Sequence, residues 1–367
     1  MKILLISYWF PPSKSIGAKR WGEFYQLSKV DKGLDITVLT ANWEGIASYD
    51  NNIKRLGEKI SYIPSAPTKS TGFLDMLRHP TSMLRSLDRS LTTSWFRAAS
   101  TWIEADDGDF DIIISSFGPI GSVVLGGYAK AKYKTPYVID LRDLISIQGQ
   151  KRKVFFVNTF DKLLDKFLTR RADGFIAVSP TCEKKAVAFY NVGVAMICNG
   201  LASKISDVKV DLSIQNTENI NILYAGTLGV NRNPMAVLTV LDKYASTRNT
   251  SITIKFATSG GLYDFIAKDQ FNNLKILDMG YLSSEDLSFE MDHSDALLVL
   301  EGHSHHGNEN LTGKIFEYLR AKKPIILSCH KGSDIVHLLK ELNAGSLIED
   351  ESDLIEFLEE RRFLARS

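Results

Sequence analysis

An α/β protein of two Rossmann-like domains, each a parallel sheet wound with helices and facing a cleft, is the fold this sequence predicts. Three observations carry it. Short β-branched apolar runs alternate with longer amphipathic segments, the mark of βα units. The alternation occurs in two series, separated by the polar, aperiodic stretch Leu201–Asn219. Loops marked by Gly or Pro follow several strands, as at Pro11–Gly17 and Gly226–Pro234. With 367 residues the chain is long for one core and comfortable for two.

The first series of strands reads Lys2–Ser7, Asp35–Thr40, Ile60–Ile63, Asp111–Ser115, Tyr137–Asp140 and Gly174–Val178, closed by Met196–Cys198. The second reads Ile220–Ala225, Ser251–Ala257, Leu274–Met279, Ala296–Leu300, Pro324–Ser328 and Gly345–Ile348. This sets a first domain at 1–203, a second at 204–350, and a terminal helix at 351–367 turned back towards the first domain. In open parallel sheets ligands collect beyond the carboxyl ends of the strands, so the loops there are the place to look for chemistry.

A net charge of +1 gives no case for nucleic-acid binding. The charge is uneven, however: residues 1–200 hold 27 Lys and Arg against 19 Asp and Glu, and the remainder 17 against 24. A basic first domain is suited to an anionic membrane surface. Gly72–Ala105 and Lys151–Arg171 interleave large apolar residues with Arg and Lys. Such helices either lie in a lipid interface or pack on the sheet with their charges in water. Three cysteines, Cys182, Cys198 and Cys329, fit a reducing compartment better than a disulfide frame. The opening MKILLISYWFPP reads as a strand rather than a leader, and no run reaches the roughly 18 apolar residues of a membrane span. The expectation is a cytoplasmic protein, with any contact at the inner face of the membrane peripheral.

The densest constellation is GHSHHGNENLTGKIFEYLRAKKPII, residues 302–326. Glu309 and Glu317 are separated by seven residues. On one ideal helix they would stand about 80° apart and about 12 Å apart along the axis, too far to grip one atom. With Glu309 in a loop and a helix starting near Thr312, they would reach two ends of one elongated ligand. The amides near Gly313 and Lys314 would then face its middle, an anion site. His303, His305 and His306 crowd the same segment; they are read as loop or ligand-contacting residues rather than a metal site.

Here the sequence resembles the GT-B glycosyltransferases of family 4, which carry E-x7-E between a loop and a helix of the second domain, followed by a Lys-Pro turn and a strand. The resemblance implies a retaining transfer of a sugar from a nucleotide diphosphate donor, UDP- or GDP-linked, without an obligatory metal or other cofactor. It implies that Glu317 holds the donor ribose and Glu309 the transferred sugar. One departure is visible: the family's glycine three residues after the first Glu is Thr312 here, with Gly313 next.

Other segments agree in order. MKILLISYWFPPSKSIGAKR resembles the family's opening strand and loop, where Gly17 lets the backbone approach donor phosphate or acceptor. YVIDLRDLIS resembles its Asp-x-Arg-Asp stretch and places Asp140, Arg142 and Asp143 at a strand's carboxyl end, facing the acceptor or forming an internal salt-bridge cluster. AVSPTCEKKAV and MICNGLASK match its Ser-bearing strand end and Asn-Gly element, Asn199–Gly200. ILYAGTLGVNRNP resembles the turn that meets the diphosphate: Gly226 and Thr227 give backbone access and Arg232 a charged fork. No lysine lies between Arg232 and Lys243, so Lys314 is expected to supply the second charge. DMGYLSSEDL resembles the turn beside the base, near Tyr281. The implied acceptor is a carbohydrate or lipid-linked precursor of a bacterial surface glycan. A nucleotide-sugar epimerase or hydrolase on the same fold, or a non-catalytic sugar-binding protein, are the competing readings.

Overall fold

The computed structural model describes residues 1–13, 15–30, 33–42, 59–64, 94–142, 155–200, 218–258, 260–267, 270–302 and 311–364. The chain divides into two compact units, Met1–Ser203 and Lys204–Ser367.

In the first unit the strands are β1 (Lys2–Ile6), β2 (Asp35–Asn42), β3 (Ile60–Pro64), β4 (Ile112–Ser116), β5 (Tyr137–Leu141), β6 (Gly174–Ala177) and β7 (Val194–Met196). They form one sheet in the order β3-β2-β1-β4-β5-β6-β7, every pairing parallel. Its described helices are α1 (Ile16–Val30), α2 (Ser94–Ala105), α3 (Gly121–Tyr133), α4 (Phe155–Thr169) and α5 (Pro180–Tyr190). Strand β1 shows why the sheet is covered on both faces. Leu4 and Ile6 enter one buried cluster with Trp95, Val123 and Ile139, while Ile3 and Leu5 enter another with Phe10, Trp21 and Tyr25. Successive side chains of a strand point to opposite faces, so an unbroken apolar run demands two layers of cover.

The second unit repeats the plan with β8 (Asn219–Ala225), α6 (Met235–Arg248), β9 (Ser251–Ala257), β10 (Leu274–Asp278), α7 (Ser284–Asp292), β11 (Ala296–Leu300), α8 (Gly313–Ala321), β12 (Ile325–Ser328), α9 (Asp334–Glu341), β13 (Gly345–Leu347) and α10 (Glu351–Leu364). Its order is β10-β9-β8-β11-β12-β13, again parallel. In each sheet the winding reverses beside the first strand, between β1 and β4 and between β8 and β11. Loops diverge at such a switch point and leave room for a ligand.

The expected strands carry strands, their ends shifted by a residue or two, with one displacement. The last strand of the first series, expected at Met196–Cys198, pairs through Val194–Met196, because Phe175 N–H bonds to Gly193 O at 2.9 Å and brings Val194 level with Phe175. The basic amphipathic stretches are described in part. In α2, Trp95, Ala99 and Ile103, spaced by four, are buried on the core. In α4, Leu164 and Leu168 pack on that core, whereas Leu163 and Phe167 are 63% and 56% exposed. The terminal helix α10 buries Leu354, Phe357 and Leu358 in the core of the second unit, and Glu351 pairs with Lys243 at 2.8 Å. Among the described residues no helix is long and apolar enough to cross a membrane.

Candidate functional site

Among the described residues of the second unit, a cluster of charged and polar groups lies at the switch point. Strand β8 ends at Ala225, whose carbonyl accepts a bond from Lys314 Nζ and whose N–H donates to Tyr318 Oη at 2.9 Å. Both partners come from α8, so this helix is tied to the strand end by its own first and second turns. Gly226 leaves room for the approach: a Cβ there would come within 2.4 Å of Lys314 Nζ and 2.8 Å of Tyr224 Oη. The glycine expected to admit a ligand's phosphate thus also admits the lysine.

Lys314 stands in the first turn of α8, which holds no acidic residue, and the Thr312 side chain does not cap the helix. A cation at the positive pole of a helix is locally unfavourable. Burial and then the nearby Arg232 lower the Lys314 ammonium to about 8, while Glu317 and Glu301 act the other way. Such conflict between local preference and observed placement is characteristic of functional positions.

Arg232 follows a turn closed by its own N–H on Gly229 O at 2.8 Å. Its Nε and Nη2 edge meets both oxygens of Glu301 at 3.1–3.3 Å, and Nη1 lies 3.4 Å from Thr227 Oγ1. Glu301 directly follows β11, held by its N–H on Ser328 O at 3.0 Å. Burial pushes its carboxyl above the usual range, and Arg232 and Lys314 pull it back. The structure therefore brings Gly226, Thr227, Arg232, Lys314 and the helix start at Thr312–Gly313 to one strand-edge region. Glu317, half-buried on the next turn of α8, adds its field to Lys314. Two cations beside a helix start are an arrangement able to hold an oxyanion.

Glu301 and Tyr318 are absent from the sequence reading. For Glu301 a signal existed: an acidic residue immediately after the apolar run ALLVL, at a strand's carboxyl end. For Tyr318 there was none, since a tyrosine on the buried face of a helix reads as core.

Tyr281 follows Gly280, which adopts φ +63°, and is 74% exposed. Glu309, Asp143 and the three histidines His303, His305 and His306 lie outside the described residues. Among the described residues no group of three His, Cys, Asp or Glu side chains stands ready to hold a metal.

In the first unit Asp140 is engaged in internal contacts. Asp140, wholly buried, accepts bonds from Arg20 Nε and Nη2 at 3.1 and 3.0 Å and from Trp21 Nε1 at 3.0 Å. Arg20 continues to Asn199 Oδ1 at 3.1 Å and Ile197 O at 2.9 Å. Of the two readings open for Asp140, the geometry displays the internal cluster. Gly17 is the second residue of α1 rather than a loop glycine, because the helix already starts at Ile16. Arg142 donates to Phe117 O at 3.1 and 3.2 Å and to Gly118 O.

No family model matches the chain, and no curated protein matches it. Solved structures do. Anabaena HepE in complex with UDP superposes with a TM-score of 0.56 at 15% identity, covering 100% of this chain and 89% of that one. The lipopolysaccharide outer core galactosyltransferase WaaB, in its apo form, gives 0.57 at 15% identity over 99% and 90%. A Listeria monocytogenes protein assigned as a UDP-N-acetylglucosamine 2-epimerase gives 0.51 at 13% over 100% and 89%. The chain accordingly has the GT-B fold, two Rossmann-like units with parallel sheets.

Proposed function

We propose that this protein is a glycosyltransferase that takes a sugar from a nucleotide diphosphate donor, with the second unit as the donor domain and the first as the acceptor domain. The observation that carries the reading is the convergence of Lys314 and Arg232 on the end of β8 around Gly226, at the start of α8. Leaving-group charge grows on the diphosphate as the anomeric C–O bond breaks. Preorganised cations and helix-start amides are the means of stabilising it. In this reading Thr227 and Gly226 admit the phosphates, Thr312 and Gly313 present amides, Glu317 binds the ribose, Tyr281 borders the base and Glu309 orients the sugar. The family 4 resemblance supports retention of configuration, with the departing phosphate taking the acceptor proton. Asp140 would serve by holding the strand end that Arg142 directly follows, and Asp143 by assisting the acceptor.

The donor nucleotide is UDP or GDP; the fold neighbour captured with UDP supports the former. The acceptor is a lipid-linked or polysaccharide precursor of a surface glycan. The exposed Leu163 and Phe167 on α4, beside exposed Lys162, Lys166 and Arg170, support a peripheral contact with anionic lipid.

Calorimetry with UDP, GDP and their sugar conjugates tests the proposal. Binding of one nucleoside diphosphate that is weakened but still measurable in both Arg232→Ala and Lys314→Ala is the expected result; wild-type affinity in both variants refutes it. The second reading, an epimerase or hydrolase, draws on the Listeria neighbour. Incubation with nucleotide sugar alone separates the two, since only an epimerase or hydrolase consumes donor without acceptor.

A further inference from the structure

We infer that Glu301 is a positioning residue, which aims Arg232 at the diphosphate by gripping the rear edge of its guanidinium; this rests on the donor-site reading above. Arg232 sits on a turn, and its side chain is 38% exposed. An arginine so placed carries large rotamer freedom that must be lost before it can meet a phosphate in a defined geometry. Glu301 removes that freedom in advance. Its two oxygens occupy Nε and Nη2 together, at 3.1–3.3 Å, a fork-to-fork pairing that fixes the plane of the guanidinium. Nη1 remains on the side of Thr227 Oγ1 and the β8 end.

Glu301 itself is well held. It follows the fully buried strand β11, its N–H bonds to Ser328 O, and its side chain is 21% exposed. A carboxylate beside an anion site opposes the ligand's charge. Its presence there is explained if the geometry it imposes outweighs that repulsion. The account thus turns on two properties, a pair of accepting oxygens and a side chain long enough to bring them to both guanidinium nitrogens.

Two variants divide these properties. Glu301→Gln keeps the reach but leaves one accepting oxygen and turns an amide N–H against a guanidinium N–H; Glu301→Asp keeps both acceptors and loses the reach. UDP affinity, measured by calorimetry, is expected to weaken about tenfold in each of E301Q and E301D. In an Arg232→Ala background, E301D is expected to cost nothing further, because the residue acts through Arg232. Equal affinity in E301D and wild type, or a further loss in the R232A background, overturns the positioning role while leaving the donor site standing. Tighter binding in E301Q with no loss in E301D marks Glu301 as a competing anion and also overturns it. A wild-type protein that binds neither UDP nor GDP removes the donor-site reading, and this inference with it.

Discussion

The guanidinium of Arg142 fills the space that a side chain at residue 17 would need: a Cβ built on Gly17 falls on Arg142 Nη1. The second residue of helix α1 is thus a glycine required by the residue that directly follows β5, which also donates to the carbonyls of Phe117 and Gly118.

This contact predicts a coupling. Alanine is the better helix former by about 1 kcal/mol, yet Gly17→Ala displaces Arg142 and forfeits its carbonyl bonds, worth about 1–2 kcal/mol together. In Arg142→Ala the obstruction is gone, so G17A becomes stabilising there. Urea denaturation of the four proteins of the cycle is expected to show a coupling of about 1–2 kcal/mol, and additivity would contradict the contact.

Lys314 makes stability depend on pH. Its folded value of about 8 lies below the ordinary 10.5, so the unfolded chain binds more protons between the two. Stability contributed at this site therefore rises with pH across that window, and the penalty of holding the charged amine is full below about 8. Lys314→Met is expected to be more stable than wild type at pH 7 by about 1–2 kcal/mol. The difference should close near pH 10.5, which thermal denaturation at the two pH values would check.

The same lysine predicts how the proposed ligand binds. A diphosphate stabilises the ammonium form, so binding above about pH 8 takes up a proton and affinity falls as pH rises. Calorimetry in buffers of different ionisation enthalpy should register the uptake at pH 8.5 in wild type and lose the Lys314 contribution in K314M.

Asp140 and Arg20 are a buried pair, 0% and 1% exposed at their side chains. Removing one partner leaves the other charge uncompensated, at a cost of about 3–5 kcal/mol. Asp140→Ala should lose that much in chemical denaturation, and Arg20→Lys should also destabilise, because a point charge cannot replace a fork that reaches Asp140, Asn199 and Ile197 O together.

The α4 surface offers a separate test. Replacing Lys162, Lys166 and Arg170 by Glu should weaken co-sedimentation with phosphatidylserine vesicles more than tenfold, at about 1 kcal/mol per basic residue near the surface. Binding unaffected by the triple change would remove the lipid-facing role.

Much of the fold was legible because a parallel sheet buried on both faces leaves an unmistakable local trace: KILLI, ALLVL and their like are too apolar and too β-branched to lie elsewhere. The site was legible only in part. Lys314 could be marked from a helix start, whereas Gly226 and Arg232 were marked through the resemblance of their strand and turn to a known family.

The partners of those residues belong to the tertiary structure alone. Glu301 lies 69 residues from Arg232, and Arg20 lies 120 from Asp140. Sequence spacing carries no record of such meetings, because they arise only when strands distant in the chain become neighbours in a sheet. The amino-acid order determined which segments become strands and helices and where the charged groups sit along them. Which charge neutralises which, and so whether an aspartate faces a ligand or locks a helix, was decided by packing, through burial that makes an unpaired charge too costly to keep.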